Sequence, residues 1–187
     1  KQPNDSPYMR ELIVRWYQFG LFSPIFRTHG CRAGADPEPK PAQDVCYHGN
    51  KGCAGNEVWS YGSETQAVLM RYIRLRAQMK PYIQELAKNV SARGVPTLRP
   101  LWYEFPEDHN TEGINDQYFL GPELMVAPIT KQGVVSREVY FPAGASWQNF
   151  FNASEIILGG SAHVVPAPLD TIPVYRRVHM DSVRFVV

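Results

Sequence analysis

The side chain best placed to do chemistry is His29. It closes the run Ser23-Pro24-Ile25-Phe26-Arg27-Thr28-His29-Gly30, in which Ile25-Phe26 reads as a short interior strand. In (β/α)8 barrels the binding and reactive groups sit at the C-terminal ends of the strands, so a polar residue ending an apolar strand is expected to face a ligand. The carboxylates are harder to place. Glu104, Glu107, Asp108, Asp116 and Asp170 stand near apolar runs, but none is paired with a histidine or second carboxylate at a spacing that fixes their separation. Asp116 and Asp170 read as turn or capping residues, and Glu104 as the partner of a nearby arginine. No G-x-S-x-G, H-E-x-x-H or phosphate-cradling glycine loop occurs. The residues alone describe an incomplete enzyme.

Trp59, in Asn56-Glu57-Val58-Trp59-Ser60-Tyr61-Gly62, could line a sugar pocket. Cys31, Cys46, His48 and Cys53 offer the ligand types of a structural zinc cage, yet their spacing matches no zinc pattern. A disulfide between Cys46 and Cys53, leaving Cys31 over, is preferred. No metal or other cofactor is therefore expected. Asn4, Asn89 and Asn152 each begin a glycosylation sequon. With the disulfide, they suit a secreted or lysosome-like compartment. A net charge of +1 over 187 residues, with no basic cluster on one face, argues against nucleic acid as a partner. No apolar run reaches the roughly 20 residues of a membrane span, so no membrane partner is expected. The chain opens Lys1-Gln2-Pro3-Asn4-Asp5 with neither initiator Met nor signal segment, and an upstream part is expected.

Two kinds of element must position these groups. Ser6-Pro7 starts a helix as cap and first residue, with Met9, Leu12, Ile13, Trp16 and Phe19 forming one apolar face. Trp16 and Trp102 are assigned to the core. A polar loop follows His29 to about Tyr61. Ser63-Glu64-Thr65-Gln66 reads as a capping box opening a long helix. Leu69, Tyr72, Ile73, Met79, Tyr82, Ile83, Leu86 and Val90 make its apolar side. Arg71, Arg74, Arg76, Lys80, Lys88 and Arg93 make its solvated one. Pro81 should bend or break it, and Gly94 with Pro96 should stop it. Beyond residue 97 the pattern becomes β-like, with runs at 98–105, 118–120, 124–128, 138–141, 147–151, 156–158, 163–167 and 171–176 between turn residues. Short strands so spaced indicate an antiparallel sandwich or small barrel.

These stretches carry a resemblance. Glu11-Leu12, Arg15-Trp16, Gln18-Phe19-Gly20 and the 23–30 run are followed by Trp59-Ser60-Tyr61-Gly62, Leu75-Arg76 and Pro81-Tyr82-Ile83. Next come Gly94-Val95-Pro96-Thr97-Leu98-Arg99-Pro100-Leu101, Glu104-Phe105-Pro106, Asp116-Gln117-Tyr118, Val126-Ala127-Pro128 and the run 167–174. In this order they resemble the C-terminal part of glycoside hydrolase family 31, which contains α-glucosidases and α-xylosidases. The resemblance implies an α/β portion followed by an all-β one. Residues 1–97 would be the C-terminal part of a (β/α)8 catalytic barrel, and 98–187 an antiparallel β-sandwich domain.

His29 matches the family histidine that hydrogen-bonds the sugar. The family's nucleophile and acid/base are aspartates on earlier strands, and their motifs do not occur here. The implied chemistry is retaining hydrolysis by two carboxylates about 5–5.5 Å apart. The implied partners are an α-glucoside or α-xyloside and the missing N-terminal part of the barrel, without which the chain is expected to be inactive. Two stretches depart from the pattern: an insertion at 31–55 and the C-terminal run from Val178 to Phe185. The absent acids and 12% aromatic content also fit an alternative, a noncatalytic carbohydrate- or partner-binding module or an inactive remnant.

Overall fold

The computed structural model describes residues 6–29, 32–33 and 53–178. Helix α1, Pro7–Leu21, begins as its sequence dictates. The Ser6 hydroxyl accepts the Met9 amide at 3.3 Å, and Pro7 occupies the first turn, where its missing N–H costs nothing. Its roll differs from the expected one. Ile13, Val14, Tyr17 and Leu21 are buried together with Arg15 and Gln18, and Trp16 is 62% exposed, outside the core to which its sequence assigned it. Carbonyls of a distant loop draw Arg15 and Gln18 inward, and that polar demand sets the face. Residues 25–29 form no strand, and Ile25 is 77% exposed. A strand needs neighbours to take its backbone hydrogen bonds, and among the described residues none flanks this segment.

A two-residue ribbon, β1 (Arg32–Ala33) with β2 (Cys53–Ala54), precedes a 3₁₀ turn at Val58–Tyr61 and then α2, Ser63–Gln78. The capping box does not form. Gly62, at φ +86°, caps the helix in a conformation open to glycine, and its carbonyl accepts the Gln66 amide. Met79 then separates α2 from α3, Lys80–Arg93, because Pro81 has no N–H to continue the ladder. Gly94, left-handed at φ +66°, ends α3 by donating to the Val90 carbonyl.

The expected strand at 98–105 stops after two residues. β3 (Leu98–Arg99) gives way to a helical turn, α4 (Leu101–Glu104), which buries Leu101 and leaves Trp102 53% exposed, again outside the expected core. The remaining strands are β4 (Tyr118–Leu120), β5 (Leu124–Val126), β6 (Ser136–Phe141), β7 (Ser146–Asn149), β8 (Ile156–Leu158), β9 (Ser161–Pro166) and β10 (Val174–Val178). Five of them join β3 in an antiparallel sheet in the order β3-β4-β5-β10-β7-β8, while β6 pairs with β9. Neither sheet closes on itself.

Side chains alternate across this sheet, as a pleated strand requires. Phe119, Met125, Trp147 and Tyr175 pack with Val139, Phe141 and Val165 of the β6–β9 pair and with Leu101 and Phe105. On the opposite face Leu120, Leu124, Val126 and Val174 pack with Leu21, Phe22, Tyr72, Met79 and Leu86 of the helices. A third cluster, Ile13, Val14, Tyr17, Val58, Tyr61 and Leu69, joins α1 to α2.

Polar side chains bolt the helices to the sheet. Arg15 donates to the carbonyls of Val134, Ala167, Pro168 and Thr171, and to Gln18 Oε1. Gln18 donates to the Leu169 carbonyl and the Tyr72 hydroxyl, while Tyr72 and Arg71 both donate to the Asp170 carbonyl. Every carbonyl from Ala167 to Thr171 is thus read by a helical side chain. Burial lowers the Arg15 pKa, against the opposing fields of Glu11, Tyr72 and Asp170.

Candidate functional site

His29 lies at the end of the 25–29 segment, which belongs to no helix or strand, and is exposed. Its Nδ1 is 2.7 Å from Arg27 Nη2. A guanidinium only donates, so Nδ1 accepts in this contact, and the ring proton resides on Nε2. The imidazole therefore presents an N–H donor on its far side, the group needed to hold a hydroxyl oxygen.

The path to His29 is fixed at its start. The Ser23 hydroxyl donates to the Phe19 carbonyl at 2.9 Å, and Tyr118 donates to the Phe22 carbonyl at 3.1 Å. Burial pushes the Tyr118 hydroxyl well above the ordinary phenol range. Arg76 departs from the solvated stripe assigned to it. From α2 its guanidinium donates to the Leu21, Ser23 and Pro24 carbonyls at 2.6, 2.6 and 2.7 Å. A sequence signal existed: Arg76 follows Tyr72 by four residues and Ile73 by three, which places it on the apolar side of the helix.

Trp59 is 67% exposed on the 3₁₀ turn, whose Val58 and Tyr61 are buried against Leu69. No ring contact or hydrogen bond joins it to His29 among the described residues. Four of the five candidate carboxylates are engaged elsewhere, and Glu107 is exposed. Glu104 is held by Arg99 at 2.5 Å and Arg177 at 3.5 Å, Asp116 by Arg137 at 2.7 Å, and Asp170 by Arg71 at 3.4 Å. Asp108 caps the turn His109–Thr111 and accepts from the Ala143 amide and the Tyr140 hydroxyl. A shallow cleft of about 460 Å³, unforeseen from the sequence, is lined by Trp102, Pro106, Thr111, Glu112 and Gly113.

The two described sequons differ. Asn89 lies within α3, its Nδ2 donating to the Glu85 carbonyl, while Ser91 Oγ donates to the Ala87 carbonyl. Asn152 sits in the exposed β7–β8 turn, where its Oδ1 accepts from the Ser154 amide at 3.2 Å and hydroxyl at 2.7 Å. Asn4, Cys31, Cys46, His48 and the Cys53 side chain lie outside the described residues, and with them the Cys46 to Cys53 disulfide. Among the described residues no cluster of three or more His, Cys, Asp or Glu is placed to hold a metal, and no helix is long and apolar enough to cross a membrane.

Residues 94–179 match the model described as the glycosyl hydrolase family 31 C-terminal domain, and residues 4–47 match the glycosyl hydrolases family 31 TIM-barrel domain. Alpha-glucosidase 2 of Bacillus thermoamyloliquefaciens is 32% identical over 165 residues, covering 88% of this chain and 18% of the relative. An alpha-xylosidase of Saccharolobus solfataricus is 33% identical over 167 residues, covering 89% of this chain and 20% of the relative. The chain thus spans about a fifth of the length of these curated relatives. The crystal structure of a GH31 alpha-xylosidase from a soil metagenome, complexed with xylose, superposes with a TM-score of 0.80 at 36% identity, covering 92% of this chain and 25% of that one.

Proposed function

Because this chain belongs to glycoside hydrolase family 31, we propose that it is part of a retaining α-glycosidase releasing terminal α-linked glucose or xylose, and that His29 grips the sugar. The observation that carries this reading is the His29 imidazole itself. It ends a segment within the barrel-domain match, is exposed, and has Nδ1 committed to Arg27, which leaves Nε2–H as the donor, unpaired among the described residues. A sugar hydroxyl accepting that N–H would be held in orientation, and the bond would strengthen as oxocarbenium character develops.

On this reading the nucleophile and the acid/base come from barrel strands outside the chain. The carboxylates held by Arg99, Arg137 and Arg71 are consistent with that division of labour. Choice between glucoside and xyloside then depends on room for the hydroxymethyl group, set mostly by residues outside the chain. The protein passes through the secretory pathway, a reading supported by the exposed sequon at Asn152.

The test is kinetic. In the full-length enzyme, His29→Gln is expected to lower kcat/KM on aryl α-glycosides by about 10²- to 10³-fold, the scale of one transition-state hydrogen-bond donor. The purified 187-residue chain is expected to give no turnover. Parent-level activity in His29→Gln, or hydrolysis by the rigorously purified chain, contradicts the reading. The exposed Trp59 and Trp102 favour a second reading, a noncatalytic carbohydrate-binding module. That reading requires saccharide binding by the isolated chain and no hydrolysis by the full-length protein.

A further inference from the structure

We infer that Arg76 is a positioning residue for His29, holding from α2 the segment that delivers the imidazole to the sugar. The inference rests on the reading of His29 as a sugar ligand. The last carbonyls of a helix have no intrahelical partner. At the end of α1 the Leu21 carbonyl, with those of Ser23 and Pro24 just beyond, converges on the Arg76 guanidinium. Among the described residues no carboxylate neutralises this cation, and burial alone lowers its pKa. Its solvation is therefore supplied by these carbonyls. Any shift of the segment would strand a partly buried charge, which makes the arrangement stiff.

The same guanidinium reaches further along the segment. Arg76 Cζ lies 5.9 Å from the centroid of the Phe26 ring, which meets Tyr17 edge-on at 5.3 Å. Phe26 also closes against Gly20, where an added Cβ would come within 3.0 Å of Phe26 Cδ2. Arg76 thus touches the path at its origin and at Phe26, three residues before His29. Beyond Phe26 the three residues to His29 span at most about 10 Å, so a turn of about 6° at Phe26 is enough to move the imidazole by about 1 Å. A misplacement of about 1 Å can cost about 10²-fold in rate.

The experiment is a double-mutant cycle in the full-length enzyme, with kcat/KM on an aryl α-glycoside and the melting temperature measured for each variant. Arg76→Met is expected to lower kcat/KM by about 30- to 100-fold in the parent, but by less than about threefold in the His29→Gln background. A merely structural role would produce the same fractional loss in both backgrounds, and that result overturns the proposal. So does parent-level activity in Arg76→Met alongside an impaired His29→Gln. If His29→Gln itself retains parent activity, the reading of His29 fails, and the cycle identifies that failure separately. Should Arg76→Met not fold, Arg76→Lys carries the test. It keeps the charge but lacks the planar fork, so a loss of about 5- to 10-fold that vanishes with His29→Gln is expected. Equal losses in both backgrounds overturn the proposal here too.

Discussion

Arg15 shows how a cation is buried with carboxylates near it but none bonded to it among the described residues: enough carbonyls are aimed at one fork. Four carbonyls and the Gln18 side chain supply its partners. Arg15→Met removes the donors and leaves those buried acceptors bare, so a destabilisation of about 3 kcal/mol is expected, read from the urea unfolding midpoint. Asp108 is a second anchor. Burial pushes its carboxyl pKa up, but the Ala143 amide, the Tyr140 hydroxyl and Asn110 more than offset this, and the net shift is downward. A depressed folded pKa stabilises the native state above the unfolded value of about 3.9, and that contribution disappears as pH falls through the folded value. The melting-temperature gap between parent and Asp108→Asn should therefore shrink below about pH 4; a constant gap contradicts the anchor. Asp108 was legible only as a carboxylate near a turn, because its donors Tyr140 and Ala143 lie 32 and 35 positions away.

Elements whose limits are set by immediate neighbours were readable from the sequence. The Ser6-Pro7 start, the break at Pro81 and the stop at Gly94 depend on residues within one turn, and the strand at 156–158 pairs with its neighbour in sequence, β7. The roll of α1 was not readable, since it answers to carbonyls more than 110 positions away. The run at 25–29 misled because an apolar sequence cannot report whether strands flank it. Element type also separates the two sequons. In a secretory host the N-glycan is expected on Asn152 and absent from Asn89, whose carboxamide and sequon hydroxyl are tied to helix carbonyls. Peptide mass mapping with and without Asn152→Gln decides this, and a glycan at Asn89 alone contradicts it. Backbone conformation makes a parallel contrast. Gly133, at φ +73° with open space around it, should lose about 1 kcal/mol on replacement by Ala from strain alone. At Gly121, φ +65°, a Cβ would meet Leu86 Cδ2 and the Tyr82 hydroxyl at 2.5 Å. Gly121→Ala should therefore cost about 2–4 kcal/mol, the strain plus the displacement of the buried Leu86 side chain and of the Tyr82 hydroxyl from the Leu120 carbonyl. Equal midpoint shifts for the two variants would remove the packing half of this argument.

For the whole molecule, the change of pattern near residue 97 was legible, yet it does not separate two independent cores. β4 and β5 carry solid apolar runs, and β10 opens on Val174-Tyr175, because the sheet is buried on both sides there, one against the β6–β9 pair and the other against the helices. Removing residues 1–97 would bare Leu120, Leu124, Val126, Ile172 and Val174, all nearly fully buried. At about 1.5–3 kcal/mol for each large apolar side chain, the loss is of order 7–15 kcal/mol. That equals the whole stability of an ordinary domain, about 5–15 kcal/mol. The same cut also frees the carbonyls of 167–171, which Arg15, Gln18, Arg71 and Tyr72 satisfy. Both losses act on the same face, so the sandwich depends on the helices for its fold as well as its placement. Residues 98–187 expressed alone should therefore bind hydrophobic dye, lack near-ultraviolet circular dichroism and aggregate, whereas helices and sheet should unfold in one transition within the full-length protein. A soluble 98–187 with a cooperative melt and sharp side-chain signals would show instead that the sheet's helix-facing side is dispensable, and that the two faces are energetically separate.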